Sequence, residues 1–190
     1  ALTSGPLQQK IVRNAPVLAR RPQANAGGIL GFDFHLGGPT PQLIEINTNP
    51  GGLLVSLELA RAATASCDCL TEPVSVLAAA GVAIGQLGRR ISDSFLAEWT
   101  SARGEVPLRS IAIVDDEPQS QYLYPEFLLY QRLLERAGRR VVIADAMSLD
   151  LQDEAVFLAE ERIDLIYNRA TDVYLTDARH SVLRRAYGSG

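Results

Sequence analysis

The segment Gly31–Gly52, GFDFHLGGPTPQLIEINTNPGG, constrains this chain more than any other. Residues 29–36 and 42–48 are short apolar-rich runs bounded by Gly, Pro or Asn, the pattern of two strands. Gly37–Pro41 is too short for anything but a turn, so the two strands form an antiparallel hairpin. Side chains alternate across a strand with period two. Gly31, Asp33 and His35 therefore share one face of the first strand, and Leu43, Glu45 and Asn47 share one face of the second. If Leu36 pairs with Gln42, Asp33 lies opposite Glu45 and Gly31 opposite Asn47.

That register sets two carboxylates side by side with an amide oxygen next along. Like charges directly opposed on a sheet destabilise it. Water, a nearby Arg or a cation must offset the repulsion, so the face is either a solvated surface or a cation site. Oxygen donors without sulfur suit a hard ion such as Mg²⁺. Mg²⁺ takes one or two carboxylates and completes its shell with water and substrate phosphate, a role open to Glu45 and Asn47 with Asp33 in support. A phosphatase nucleophile built on Asp33 would need a second Asp that the segment lacks. Thr48, Asn49, Gly51 and Gly52 then link the strand to a helix start at 52–64, where backbone amides and the helix dipole favour an anion.

This segment resembles the metal hairpin of the ATP-grasp ligases, and within them the circularly permuted branch of eukaryotic-type glutathione synthetase and glutathionylspermidine synthase. That branch has a strand carrying Asp, a strand ending in Glu-x-Asn, and then an α/β substrate domain. The resemblance covers about 20 residues closely and implies Glu45 and Asn47 as Mg²⁺ ligands against the ATP phosphates. It implies Asp33 as support or a further ligand, and Thr48–Gly52 as a phosphate or substrate contact. The Arg that the family carries two residues before the Asp is Gly31 here.

Beyond the hairpin, one helix is expected at 52–64 and another within 72–101, with a linker at 103–108. Ser110–Val114, Val141–Ala144 and Ile163–Tyr167 are apolar runs of the kind buried on both faces in parallel sheets. Pro125–Ala137 reads as a helix with Pro at its start and Gly138 beyond its end, and 177–187 as a last helix. The expected architecture is α/β: a metal hairpin with helices of an ATP-grasp subdomain at 28–102, then a small parallel-sheet, Rossmann-like domain at 109–190. An irregular lead-in occupies 1–27.

Ligands of open α/β sheets sit beyond the carboxyl ends of the strands. Asp115–Tyr124 is a long polar loop at such an end and carries no Gly-x-Gly-x-x-Gly fingerprint. Arg169 emerges at another, placed either to clamp a substrate carboxylate or to pair with Asp172 or Asp115. The resemblance implies substrate contacts from Arg169 and, more loosely, from Gln121 and Glu126. Tyr122, Tyr124, Phe127 and Tyr130 read as core packing. His35 and His180 have no readable partner.

Composition narrows the function. The 190 residues are 47% apolar and 21% charged, a globular composition. A net charge of −4 argues against nucleic acid as a partner, and no apolar run has membrane-spanning length. The 18 basic residues include a single lysine, Lys10, so a nucleotide site needing two lysines is incomplete in this chain. Cys67 and Cys69 are too close for an ordinary disulfide and lack a second pair for zinc, which fits a reducing cytoplasm. The expectation is part of an ATP- and Mg²⁺-dependent carboxylate–amine ligase, truncated at its C-terminus, able to form homo-oligomers and taking a small peptide-like or amino-acid substrate. A non-catalytic peptide- or amino-acid-binding module of the same descent is the alternative.

Overall fold

A computed structural model describes residues 5–20, 28–65 and 74–189, with the side chains of 18, 19, 63–65 and 74–84 excepted. Cys67 and Cys69, residues 1–4 and 21–27 of the lead-in, and residues 72 and 73 of the second expected helix lie outside the described residues. The lead-in is not irregular throughout: Gly5–Asn14 is a helix (α1), and Val17–Arg20 is a 3₁₀ turn. Pro6 lies in its first turn, where a missing N–H costs nothing.

Strands β1 (Gly31–His35) and β2 (Gln42–Asn47) form the hairpin. Asp33 pairs with Glu45 and Gly31 with Asn47, the partners expected. The turn end differs. His35, not Leu36, pairs with Gln42, because a bulge between Asp33 and Phe34 makes Ile44 an extra residue. Leu43 is thereby shifted from the Glu45 face to the opposite one, across from Phe34. The register sets His35, Gln42, Asp33, Glu45 and Asn47 on one face and Phe32, Phe34, Leu43 and Ile46 on the other, with Ile44 unpaired at the bulge. Both faces are exposed.

The core lies further along. Strands β3 (Ser110–Asp115), β4 (Arg140–Asp145) and β8 (Leu165–Asn168) make a parallel sheet in the order β4-β3-β8. Between β4 and β8 the chain forms a small antiparallel sheet of β5 (Leu149–Gln152), β6 (Ala155–Leu158) and β7 (Glu161–Ile163). The single run expected over 163–167 is thus two strands in different sheets. It breaks at Asp164, whose carboxylate accepts the N–H groups of Arg109 (2.8 Å) and Ser110 (3.1 Å) at the start of β3.

Ile111 and Ile113 of β3 point to one face of the parallel sheet, where α2 (Leu53–Ala65), α3 (Val74–Arg103) and α4 (Tyr124–Arg136) pack with Leu54, Leu57, Phe127, Tyr130 and Leu134. On α3 the buried Ile91, Phe95 and Trp99 recur every four residues, one helical stripe. Ala112 and Val114 point to the other face, against Leu149, Val156, Ile163 and Leu183 of α5 (Ser181–Ser189). The protein is thus mixed α/β, three layers about a parallel sheet. No helix among the described residues is long and apolar enough to cross a membrane. Of the four aromatics at the α4 start, Phe127 and Tyr130 are buried and Tyr124 packs against the core, but Tyr122 is 95% exposed.

Leu134 is fully buried between the sheet and α4. Leu134→Ala is expected to lower unfolding free energy by about 2–5 kcal/mol in urea titration, the usual range for such a cavity. A loss below about 1 kcal/mol would show that α4 is not packed as described.

Candidate functional site

The turn Thr48–Gly52 carries the chain from the hairpin into α2, and its placement rests on two side chains of the parallel-sheet layer. Glu126, only 1% exposed, accepts the N–H of Gly52 through Oε2 (2.8 Å) and that of Leu54 through Oε1 (2.9 Å). Helix starts carry unsatisfied N–H groups and a positive dipole end, so a buried carboxylate is well placed there. Glu126 itself lies in the first turn of α4. One carboxylate therefore serves the start of two helices.

Arg169, 6% exposed just past β8, donates from Nη1 to the Asn49 side-chain oxygen and to the Tyr167 hydroxyl (3.1 Å). Its guanidinium carbon sits 5.2 Å from the Tyr167 ring centre, over the face. It forms an ion pair with neither Asp172 nor Asp115, and its buried Nε has no partner among the described residues. Gly51 packs where a Cβ would collide with the Leu123 side chain and lie 3.5 Å from Arg169 Nη2. Gly52 has φ +85°, a conformation natural to glycine. Gly51 thus has a packing explanation and Gly52 a conformational one, and the Glu126 carboxylate occupies N–H groups at the start of α2.

On the polar face, Asp33 and Glu45 are exposed and directly opposed, with Asn47 diagonal to Asp33. Neither carboxylate has a hydrogen bond or ion pair with another described residue. Asn47 Oδ1 accepts the N–H of Asn49 (2.9 Å), which holds the amide and leaves the oxygen a lone pair. Two hard carboxylates and a pre-set amide oxygen fit Mg²⁺ by donor type. No group of three or more His, Cys, Asp or Glu able to hold a metal occurs among the described residues, and this set has two such members plus an amide. A Cβ at Gly31 would stand 3.2 Å from the Pro50 Cβ, so the Arg expected there in the resembling ligases would need Pro50 to move.

The remaining expected contact, Gln121, donates from Nε2 to the Asp116 carbonyl (2.6 Å) and so braces the loop after β3. That loop includes a 3₁₀ turn at Pro118–Ser120 preceded by Glu117 at φ +41°.

His180 is the polar residue the sequence did not reveal. It is 1% exposed and bonds Asp172 through Nδ1 (2.9 Å) and Asp116 through Nε2 (2.9 Å), with Arg179 3.2 Å from Asp116. Its partners stand 8 and 64 positions away, a separation no local pattern reports. Desolvation pulls its pKa down, but the two carboxylate bonds outweigh it and the net direction is upward from 6.5. Asp172 is held at about 2, first by the Asp177 N–H and then by His180. Nearby Asp115 is buried, and desolvation raises its pKa. Through these two carboxylates His180 clasps the β3 and β8 loops to the start of α5. Comparisons with models of protein families, with curated proteins and with solved structures gave no match.

Two outcomes follow from these contacts. Glu126→Ala strands two helix-start N–H groups and is expected to cost about 1–3 kcal/mol in urea titration; an unchanged midpoint would contradict the capping role. His180 is charged more readily in the folded state, so its stabilisation is full below its unfolded pKa of about 6.5 and fades as pH rises through its higher folded value. Unfolding midpoints across that window should fall in the native protein and stay flatter in His180→Gln. Parallel profiles would contradict the clasp.

Proposed function

We propose that this chain is the metal-hairpin and substrate-binding portion of an ATP- and Mg²⁺-dependent carboxylate–amine ligase of the ATP-grasp type, working in the cytoplasm. One observation carries the reading: Asp33 opposite Glu45, with Asn47 beside them and pre-oriented by its own turn, on the exposed polar face of a hairpin. The resemblance of Gly31–Gly52 to the ligase hairpin supports the same assignment.

In this reading Glu45 and Asn47 hold the ion and Asp33 supports it. When bound, Mg²⁺ would neutralise charge on the ATP phosphates while a carboxylate is phosphorylated. The chain's own residues supply position. Glu126 fixes the start of α2 and the turn, and Arg169 ties that turn to the carboxyl end of β8 through Asn49. Arg169 itself stands at that strand end, where in this reading a small peptide-like or amino-acid carboxylate would be clamped. The lone lysine, Lys10, lies on α1, away from the hairpin in sequence, so the nucleotide site is incomplete in these residues.

The second reading is a non-catalytic module that binds a peptide or amino acid. The packing of Pro50 into the space beside Gly31 favours it, since that space is where the ligase arginine would start.

Calorimetry separates the outcomes. The 190-residue chain is expected to bind Mg²⁺ with an affinity that Glu45→Gln weakens by on the order of tenfold, the loss of one charged ligand. It is expected to bind Mg-ATP only weakly and to be inactive alone. Mg²⁺ binding indifferent to Glu45→Gln would overturn the metal assignment. Micromolar Mg-ATP binding by this chain alone would overturn the division of the nucleotide site.

A further inference from the structure

Among the described residues, the buried carboxyl, guanidinium and imidazole groups belong to Asp115, Glu126, Arg169 and His180. Two of them are fully accounted for. Glu126 accepts two helix-start N–H groups, and His180 bonds a carboxylate through each ring nitrogen. The other two stand next to each other. Val114 pairs with Asn168, and Arg169 donates its backbone N–H to the Val114 carbonyl (2.7 Å), so Asp115 and Arg169 emerge side by side at the carboxyl ends of β3 and β8. Alternation puts Asp115 on the face of Ile111 and Ile113. Arg169 lies over the ring of Tyr167, which packs on that same face.

Neighbouring strands lie about 4.8 Å apart, so these opposite charges are within reach of each other, yet they form no ion pair. Arg169 turns to Asn49 and Tyr167 instead and leaves its Nε without a partner. Asp115 accepts one hydrogen bond, from the Asp116 N–H to Oδ1 (2.8 Å), and its Oδ2 takes none from the described residues. The carboxylates around it are better served. Asp116 bonds His180, Asp145 accepts the N–H groups of Glu117 and Met147, and Asp172 bonds His180 and accepts the Asp177 N–H. Desolvation accordingly pushes the Asp115 carboxyl above its ordinary value, against the pull of Arg169 and His180. Burying a charge without pairing it is costly. Here an anion and a cation are withdrawn from water at one place and held apart.

We propose that Asp115 and Arg169 together bind the head group of a free α-amino acid, its ammonium on Asp115 and its carboxylate on Arg169. A molecule with both charges on one carbon satisfies both residues at once. A lone carboxylate would leave Asp115 unpaired and set a second negative charge beside it, and a peptide offers the two charges only at opposite ends. Carboxyl ends of parallel strands are where open α/β sheets bind ligands. Asp115 and Arg169 keep a remnant of exposure there, 8% and 6%. This inference rests on the amino-acid-binding part of the reading above and uses no metal ligand.

The test is amide NMR of the 190-residue chain in EDTA, which keeps the outcome separate from that of the metal site. The probes are an equimolar mixture of free L-α-amino acids, the same mixture N-acetylated, and the same mixture as amides. The free amino acids are expected to shift the resonances of Asp115, Asp116, Arg169 and Ala170, and each blocked mixture to bind more weakly by on the order of tenfold or more. Asp115→Asn keeps an acceptor for the Asp116 N–H. It should weaken the free mixture by a similar factor and leave the N-acetylated one unchanged. Its urea midpoint should not fall, because the substitution removes a poorly paired buried charge. Equal binding of the free and N-acetylated mixtures overturns the proposal while leaving a carboxylate clamp at Arg169. Absence of shifts at these residues with the free amino acids overturns it outright. An Asp115→Asn chain whose urea midpoint falls together with its binding does so too, since the carboxylate would then be structural.

Discussion

The arrangement of this molecule depends on one buried carboxylate. Glu126 accepts two N–H groups at the start of α2 while sitting in the first turn of α4. Its negative charge meets the positive ends of two helices, which offsets the desolvation that a 1% exposed acid incurs. Through it the hairpin, an element too small to hold itself together in water, is anchored to a sheet whose central strand is wholly buried. Arg169 adds a second tether through Asn49, and Leu123 closes the fit against Gly51.

This anchoring divides the hairpin by role. The end next to α2 is built into the layer that carries the sheet's carboxyl ends. The oxygen donors Asp33, Glu45 and Asn47 stand on the exposed strands, held in relation to one another by strand pairing and by the Asx turn of Asn47. The bulge at Ile44 takes Leu43 off their face and sets it across from Phe34. A second polar cluster, His180 with Asp116 and Asp172, ties together the loops that follow β3 and β8. The carboxyl ends of β3 and β8 are thus braced from both directions, with Arg169 between the braces.

Much of this was legible in the residues. The Asp33–Glu45 pairing follows from a Leu36–Gln42 register that does not occur, and it stands because the bulge offsets the slip at the turn; apolar runs mark β3 and most of β4 and β8, because burial on both faces leaves a dense local signature. Pro125 and Gly138 marked the limits of α4. The antiparallel β5–β7 sheet was not legible: its strands are only 3–4 residues long, and the β5–β6 turn uses Asp153 and Glu154 at positive φ instead of glycine. The bulge was equally hidden, since nothing in QLIEIN distinguishes an extra Ile from a paired one. Glu126, which the resemblance loosely implies as a substrate contact, binds backbone 72 and 74 positions earlier. Such long-range partners arise from packing and leave no trace in local spacing. Gly51 shows a related ambiguity: close approach to a neighbouring side chain, here Leu123, demands the same residue as close approach to a phosphate.

The central claim is that Asp33, Glu45 and Asn47 together hold a divalent cation. Mn²⁺, which shares the oxygen preference of Mg²⁺ and broadens nearby resonances, tests it directly by amide NMR. The account predicts that substoichiometric Mn²⁺ selectively broadens residues 31–35 and 44–49, and that excess Mg²⁺ reverses the effect. Broadening centred instead on Asp116 and Asp172, or spread evenly over the acidic surface, would contradict it.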